Sequence, residues 1–172
     1  MSVEQFGVWL LRVVACLLVA GATGCEPEPP KPLIAGITGY NFTGEGVQDY
    51  YVNDQRGSNL PPYGGGGSLS CCVPLPAQWS PGLTVTVDWT MGRWTTPHET
   101  RKHLTVRQQI ECCSAERTLH KTVPVERYGK EGSRLQVFFL PNDEIQVWVY
   151  EAGPQSSEHP SSRGYPEKPE VK

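Results

Sequence analysis

Residues 83–90, LTVTVDWT, alternate strictly: Leu83, Val85, Val87 and Trp89 face one way, Thr84, Thr86, Asp88 and Thr90 the other. A period of two is the pattern of a strand with one face on a core and the other in water. Residues 134–140 (RLQVFFL) and 144–150 (EIQVWVY), joined by Pro141-Asn142-Asp143, read as a hairpin. Residues 33–40, 48–53, 70–75, 103–113 and 117–127 supply the remaining apolar or β-branched runs, with residues 54–68 as a long Gly-, Asn- and Pro-rich loop. No segment carries a convincing amphipathic helical pattern. Seven or eight short antiparallel strands between turn signals predict an all-β fold, a single small β-sandwich or open barrel. The 18 Gly and 16 Pro agree, together about a fifth of the 172 residues against roughly an eighth in ordinary chains.

The two ends read differently. Residues 1–24 carry one early cation, Arg12, then the apolar run VVACLLVA and small residues. That run is too short to cross roughly 30 Å of hydrocarbon, and the segment reads as a processed leader. Ala22-Thr23-Gly24-Cys25 resembles a bacterial lipobox. By that resemblance the leader is a lipoprotein signal peptide, cut before Cys25, which then bears acyl chains. Two or three such chains anchor stably. Glu26 at the next position implies the outer membrane, with the domain facing the periplasm. Residues 25–32 form a Pro-rich spacer, extended over on the order of 20 Å. Residues 152–172, rich in Ser and Pro, contain too little apolar surface to offset their ordering entropy and are expected to be a disordered tail. The β domain is then 33–151.

Cys71, Cys72, Cys112 and Cys113 are two adjacent pairs, and in an oxidising compartment four cysteines point to disulfides with three possible connectivities. Zinc knuckles prefer C-x2-C, which neither pair has, so no metal is expected. Cys71 with Cys113 and Cys72 with Cys112 fit a single antiparallel register. The expectation is a stapled domain with at least one bridge between the pairs, closing a loop that adds about 4 kcal/mol.

Catalytic constellations are not evident. The run 64–67 is four Gly without the Lys-Ser/Thr and helix of a phosphate loop. It reads instead as a turn where a Cβ would clash. Ser68 lacks the nucleophile-elbow pattern. His98, His103, His120 and His159 are scattered. A net charge of -3 and a pI of 5.8 argue against nucleic acid. No cofactor is called for. What remains is a set of aromatic, amide and guanidinium side chains in or beside loops: Arg56, Asn59, Tyr63, Trp79, Arg93 and Trp94. Tyr, Trp and Arg are the residue types of protein-binding hot spots, and loops on a rigid β scaffold suit recognition.

The run Gly39-Tyr40-Asn41-Phe42-Thr43, then Val52-Asn53, Gly57, Asn59 and the Gly cluster, leads to Cys71-Cys72-Val73-Pro74-Leu75-Pro76, Trp79, Pro81-Gly82-Leu83 and Val85-Thr86-Val87-Asp88-Trp89. This pattern resembles a family of small proteobacterial lipoproteins catalogued as a domain of unknown function. Some of these look like immunity proteins of type VI secretion phospholipase effectors. The resemblance implies a binding protein rather than an enzyme, its partner a phospholipase toxin. A structural or assembly lipoprotein of an envelope machine is the alternative, and a hydrolase the third reading. Cys112-Cys113 is not part of the family pattern, so its pairing is not implied by it.

Overall fold

The computed structural model describes residues 28, 30–129 and 132–170. The expected signal peptide 1–24, the expected lipidation site Cys25, and residues 26, 27 and 29 of the spacer lie outside these. The compact unit is Lys31–Lys172. Its elements are β1 (Leu33–Asn41), β2 (Gly46–Val52), β3 (Gln55–Arg56), β4 (Gly64–Gly65), β5 (Ser70–Leu75), β6 (Thr84–Trp94), helices α1 (His98–Arg101) and α2 (Val106–Cys113), β7 (Ser114–Pro124), β8 (Arg134–Leu140), a 3-10 turn Pro141–Asp143, and β9 (Glu144–Val149).

Two sheets stack as a sandwich. One runs β4-β1-β8-β9, with β5 beside β4 along the free edge of β1; the other runs β3-β2-β6-β7. Between them pack Ala35, Ile37, Leu135, Val137, Phe139, Val147 and Val149 from the first sheet, and Val47, Tyr50, Val52, Val85, Val87, Trp89 and Met91 from the second. Tyr50 meets Phe139 edge to face at 5.1 Å between centroids. The alternation that marked β6 is the alternation observed, odd residues inward and even residues outward up to Met91. In β2 the inward residues Val47 and Tyr50 are out of phase. The register shift between Val47 and Asp49 supplies the extra residue that restores both to the core.

The all-β sandwich is as expected, but one pair is parallel: β1 on β8, from Gly36 opposite Arg134 to Asn41 opposite Phe139. Parallel strands are stable where both faces are covered. β1 and β8 are indeed buried on both faces along most of their length. The near-continuous apolar run in residues 134–140 is the sequence trace of that double burial.

Three expectations are corrected. Residues 103–113 are not a strand: Thr105 caps α2 through a capping box with Gln108, each side chain bonding the other's backbone N–H. Each cysteine pair closes on itself, Cys71 to Cys72 and Cys112 to Cys113, so the bridge expected between the pairs is not formed. Neighbouring side chains in a regular strand point apart. β5 solves this with a bulge, in which Cys71 and Cys72 together oppose Gly36, between the pairs Ala35–Val73 and Ile37–Ser70. Finally, the tail is not free. Residues 152–170 lie on the outer face of β1, β8 and β9, where His159 is 1% exposed, stacked on Phe138 and edge-on to Trp148 and Tyr150. Sequence composition understated this because the apolar surface comes from the sheet, not from the tail.

Candidate functional site

The sandwich has two ends. At one, β6 hands over to the helical segment 95–113 and the chain returns as β7 with Trp94 opposite Ser114. The backbone N–H of Thr95 donates to Cys113 O at 2.8 Å, closing the base of this lobe. Ser114 Oγ donates to Ile110 O at 2.7 Å, and the Cys112–Cys113 bridge sits where helix turns to strand. Inside the lobe Arg101 is buried. Its guanidinium lies 3.8 Å over the Trp94 ring and donates to Gln109 Oε1 at 2.7 Å, while Gln109 Nε2 donates to Leu104 O. A guanidinium stacked on indole is a favourable cation–π contact, and it fixes the indole. The lobe leaves apolar area in solvent: Val106 is 71% exposed, Ile110 48% and Trp94 47%. Val106 and Ile110 are four apart on α2, hence on one face.

Next to the lobe lies a charged cluster. Glu45 takes Arg93 at 3.4 Å and Arg117 at 2.8 Å, and Arg117 also reaches Asp143 at 2.6 Å. The hydrogen bonds to Asp143 and then Glu45 raise the Arg117 pKa. These residues border a small depression of about 140 Å³ lined by Glu45, Met91, Arg93, Ala115, Glu116 and Arg117. The loop that presents Glu45 is clasped by buried Asn41, whose Nδ2 donates to Glu45 O (2.7 Å) and Pro61 O (2.9 Å) while its Oδ1 accepts from Thr43. Tyr63 joins this end, its N–H donating to Thr43 O.

The six residues singled out from the sequence therefore divide. Tyr63, Arg93 and Trp94 share the lobe end. Arg56 and Asn59 line a polar groove of about 510 Å³ with Gln48, Gly57, Ser58 and Ser70, along the side of the sandwich. Trp79 is at the opposite end, packed on the core, its Nε1 donating to Val125 O at 2.8 Å and Arg127 6.0 Å above the ring. β6 spans about 30 Å between these ends, so Trp79 and Trp94 do not share one patch. Sequence reading passed over Arg101, Val106 and Ile110, and it noted Asn41 only within the family pattern. The Thr105-x-x-Gln108 capping box was the available signal for the lobe. The Gly cluster is partly strand, since Gly64 and Gly65 form β4; a Cβ on Gly65, at φ +140, would strike Gly39 O and one on Gly66 the Tyr40 ring, as expected, while Gly67 stands in open space.

These features define a small two-sheet β-sandwich with a helical lobe carrying exposed aromatic and aliphatic side chains on one hairpin tip. The chain belongs to the family described as a protein of unknown function (DUF3304), whose model matches residues 40–147, from the end of β1 into β9 and including the whole lobe. No curated protein and no solved structure matches the chain.

Proposed function

We propose that this chain is a lipid-anchored, periplasm-facing binding protein that neutralises a phospholipase-type toxin delivered by type VI secretion, and that the lobe end makes the contact. The observation that carries the reading is the exposed trio Trp94, Val106 and Ile110, with Trp94 held flat by Arg101. A rigid aromatic anchor beside an aliphatic helix face is what a recognition surface needs, since little side-chain freedom is lost on binding. The anchor follows the same logic: acyl chains on Cys25 would hold the inhibitor at the membrane where the enzyme acts, raising its effective concentration. The tether enters at Leu33, the start of β1, where β5 ends at Leu75. The lobe is at the far end of the sandwich from that point.

The test is inhibition of the purified effector's lipid hydrolysis by the purified protein, with binding measured in parallel. Trp94→Ala and Ile110→Asp should each weaken binding by about thirtyfold or more, the size of a hot-spot loss, with an unchanged thermal midpoint. Trp79→Ala should leave binding intact in molecules that stay folded. Full inhibition by both lobe variants overturns the contact assignment. No binding to any phospholipase effector, together with an envelope defect on deletion in the absence of toxin, favours the assembly-lipoprotein reading.

A further inference from the structure

Four buried polar atoms without a hydrogen-bond partner gather in one place, beneath the carboxyl-terminal segment. They are Thr38 Oγ1, Gln136 Oε1, Trp148 Nε1 and His159 Nε2. Thr38 is the register partner of Gln136, and Gln136 of Trp148, so three of them form one row across β1, β8 and β9. His159 lies over the same place, its ring 5.6 Å from that of Phe138 and 5.5 Å from that of Trp148. A dry, final interface does not leave four such groups unsatisfied, because each costs about 1–3 kcal/mol. The segment above pairs with no strand. It is held by point contacts: Gln136 Nε2 to the carbonyls of Tyr150 and Ala152, Arg163 to Gln146, and Tyr165 Oη to Gly65 O.

We propose that residues 152–170 are an acid-released strap, latched by neutral His159, over the aromatic outer face formed by Tyr40, Phe42, Phe138 and Trp148. The latch is a matter of hydrogen-bond direction. His159 Nδ1 accepts from the Ser161 backbone N–H at 3.1 Å and stands 2.8 Å from the Ser161 hydroxyl. An Nδ1 that accepts carries no proton, which leaves the proton on Nε2. Protonation turns Nδ1 into a donor facing the Ser161 N–H donor. It also places a charge among three rings, out of reach of water. The rings return some cation–π attraction, but among the described residues no carboxylate pairs with His159. The charged and titratable groups on the elements packed against His159 include exposed Glu158, Arg163 and Tyr165 on the strap, Glu144 on β9, Tyr150 just after it, Tyr40 on β1, and Arg134 on β8, which is paired with Glu151 at 3.1 Å.

Burial lowers the imidazole pKa below its ordinary 6.5. The open strap therefore binds more protons than the closed one between that lowered value and 6.5. Closure strengthens as pH rises through this window and is lost as pH falls through it. The test is amide hydrogen exchange of the purified full-length protein at pH 7.5 and 5.0, corrected for the intrinsic rate. Protection over residues 153–168 should fall about tenfold at the lower pH, while β6 and β7 keep theirs. His159→Phe retains the packing without the titration and should keep the strap protected at both values. An NMR titration of His159 Cε1–H should place the opening on this imidazole. Equal wild-type protection at both values, acid loss that persists in His159→Phe, or opening at a pH where His159 does not titrate, each overturns the proposal.

Discussion

At Gly57 there is no room for one more carbon: a Cβ there would fall within the Tyr50 ring, while Gly57 N–H donates to Tyr50 O at 2.8 Å. Tyr50 cannot retreat, because it is fully buried against Phe139. Gly57→Ala should lower unfolding free energy by about 2–3 kcal/mol by overpacking, read as a shift in denaturant midpoint at constant slope. Asn41 makes the opposite kind of error costly. Asn41→Ala strands the carbonyls of Glu45 and Pro61 and should cost about 2 kcal/mol, with loosening of the Arg93–Glu45–Arg117 cluster visible as faster exchange at residues 43–46. In the sequence, Asn41-Phe42-Thr43 stood out only as part of the family pattern. Its role as a clasp depends on Pro61, twenty positions away, and no local pattern encodes such a partner. The core side of β6, by contrast, could be read directly, since alternation is a property of neighbours.

Elements were legible in proportion to how local their cause is. The hairpin of β8 and β9 was found because its turn residues and both strands are contiguous; Asn142 and Asp143 take the positive φ the turn requires. The lobe was misread as strand because its length gave too few turns for a helical period to show, and the capping box was the one signal left. Thr105→Ala should remove that cap and destabilise α2 by about 1 kcal/mol, seen as local exchange in 105–113 with the global midpoint barely moved. The cysteine pairs were read through spacing, which offers several pairings and cannot choose among them. Bridges between adjacent residues restrain the unfolded chain little: the chain-entropy relation gives on the order of 1 kcal/mol each, against about 4 for a bridge between the pairs. Reduction of the purified protein should therefore lower its denaturation midpoint only slightly; a loss near 4 kcal/mol would mean that the pairs are joined to each other.

For the molecule as a whole, the parallel contact of β1 with β8 sets the order of events. The first strand finds its central partner only after the entire second sheet has been made, so most core contacts span long stretches of chain. Such topologies fold in milliseconds to seconds. Stopped-flow refolding should fall in that range, and a chain ending before Arg134 should show no cooperative unfolding. The same contact explains why the tail resisted prediction. A sheet whose two middle strands are buried on both faces needs a cover on its outside, and residues 152–170 provide it despite having no hydrophobic run of their own.

The closed base of the lobe has a consequence of another kind. Trp94 and Ser114 are paired as any two hairpin residues would be, and Thr95 to Cys113 completes the closure, so the sandwich does not register what lies between. Residues 96–112 are therefore expected to be exchangeable, provided Cys113, which would lose its bridge partner Cys112, is replaced by Ser. Replacing them with a two-residue turn should leave a folded, silent scaffold, and inserting a different cassette should change what the scaffold recognises without redesigning a single core contact.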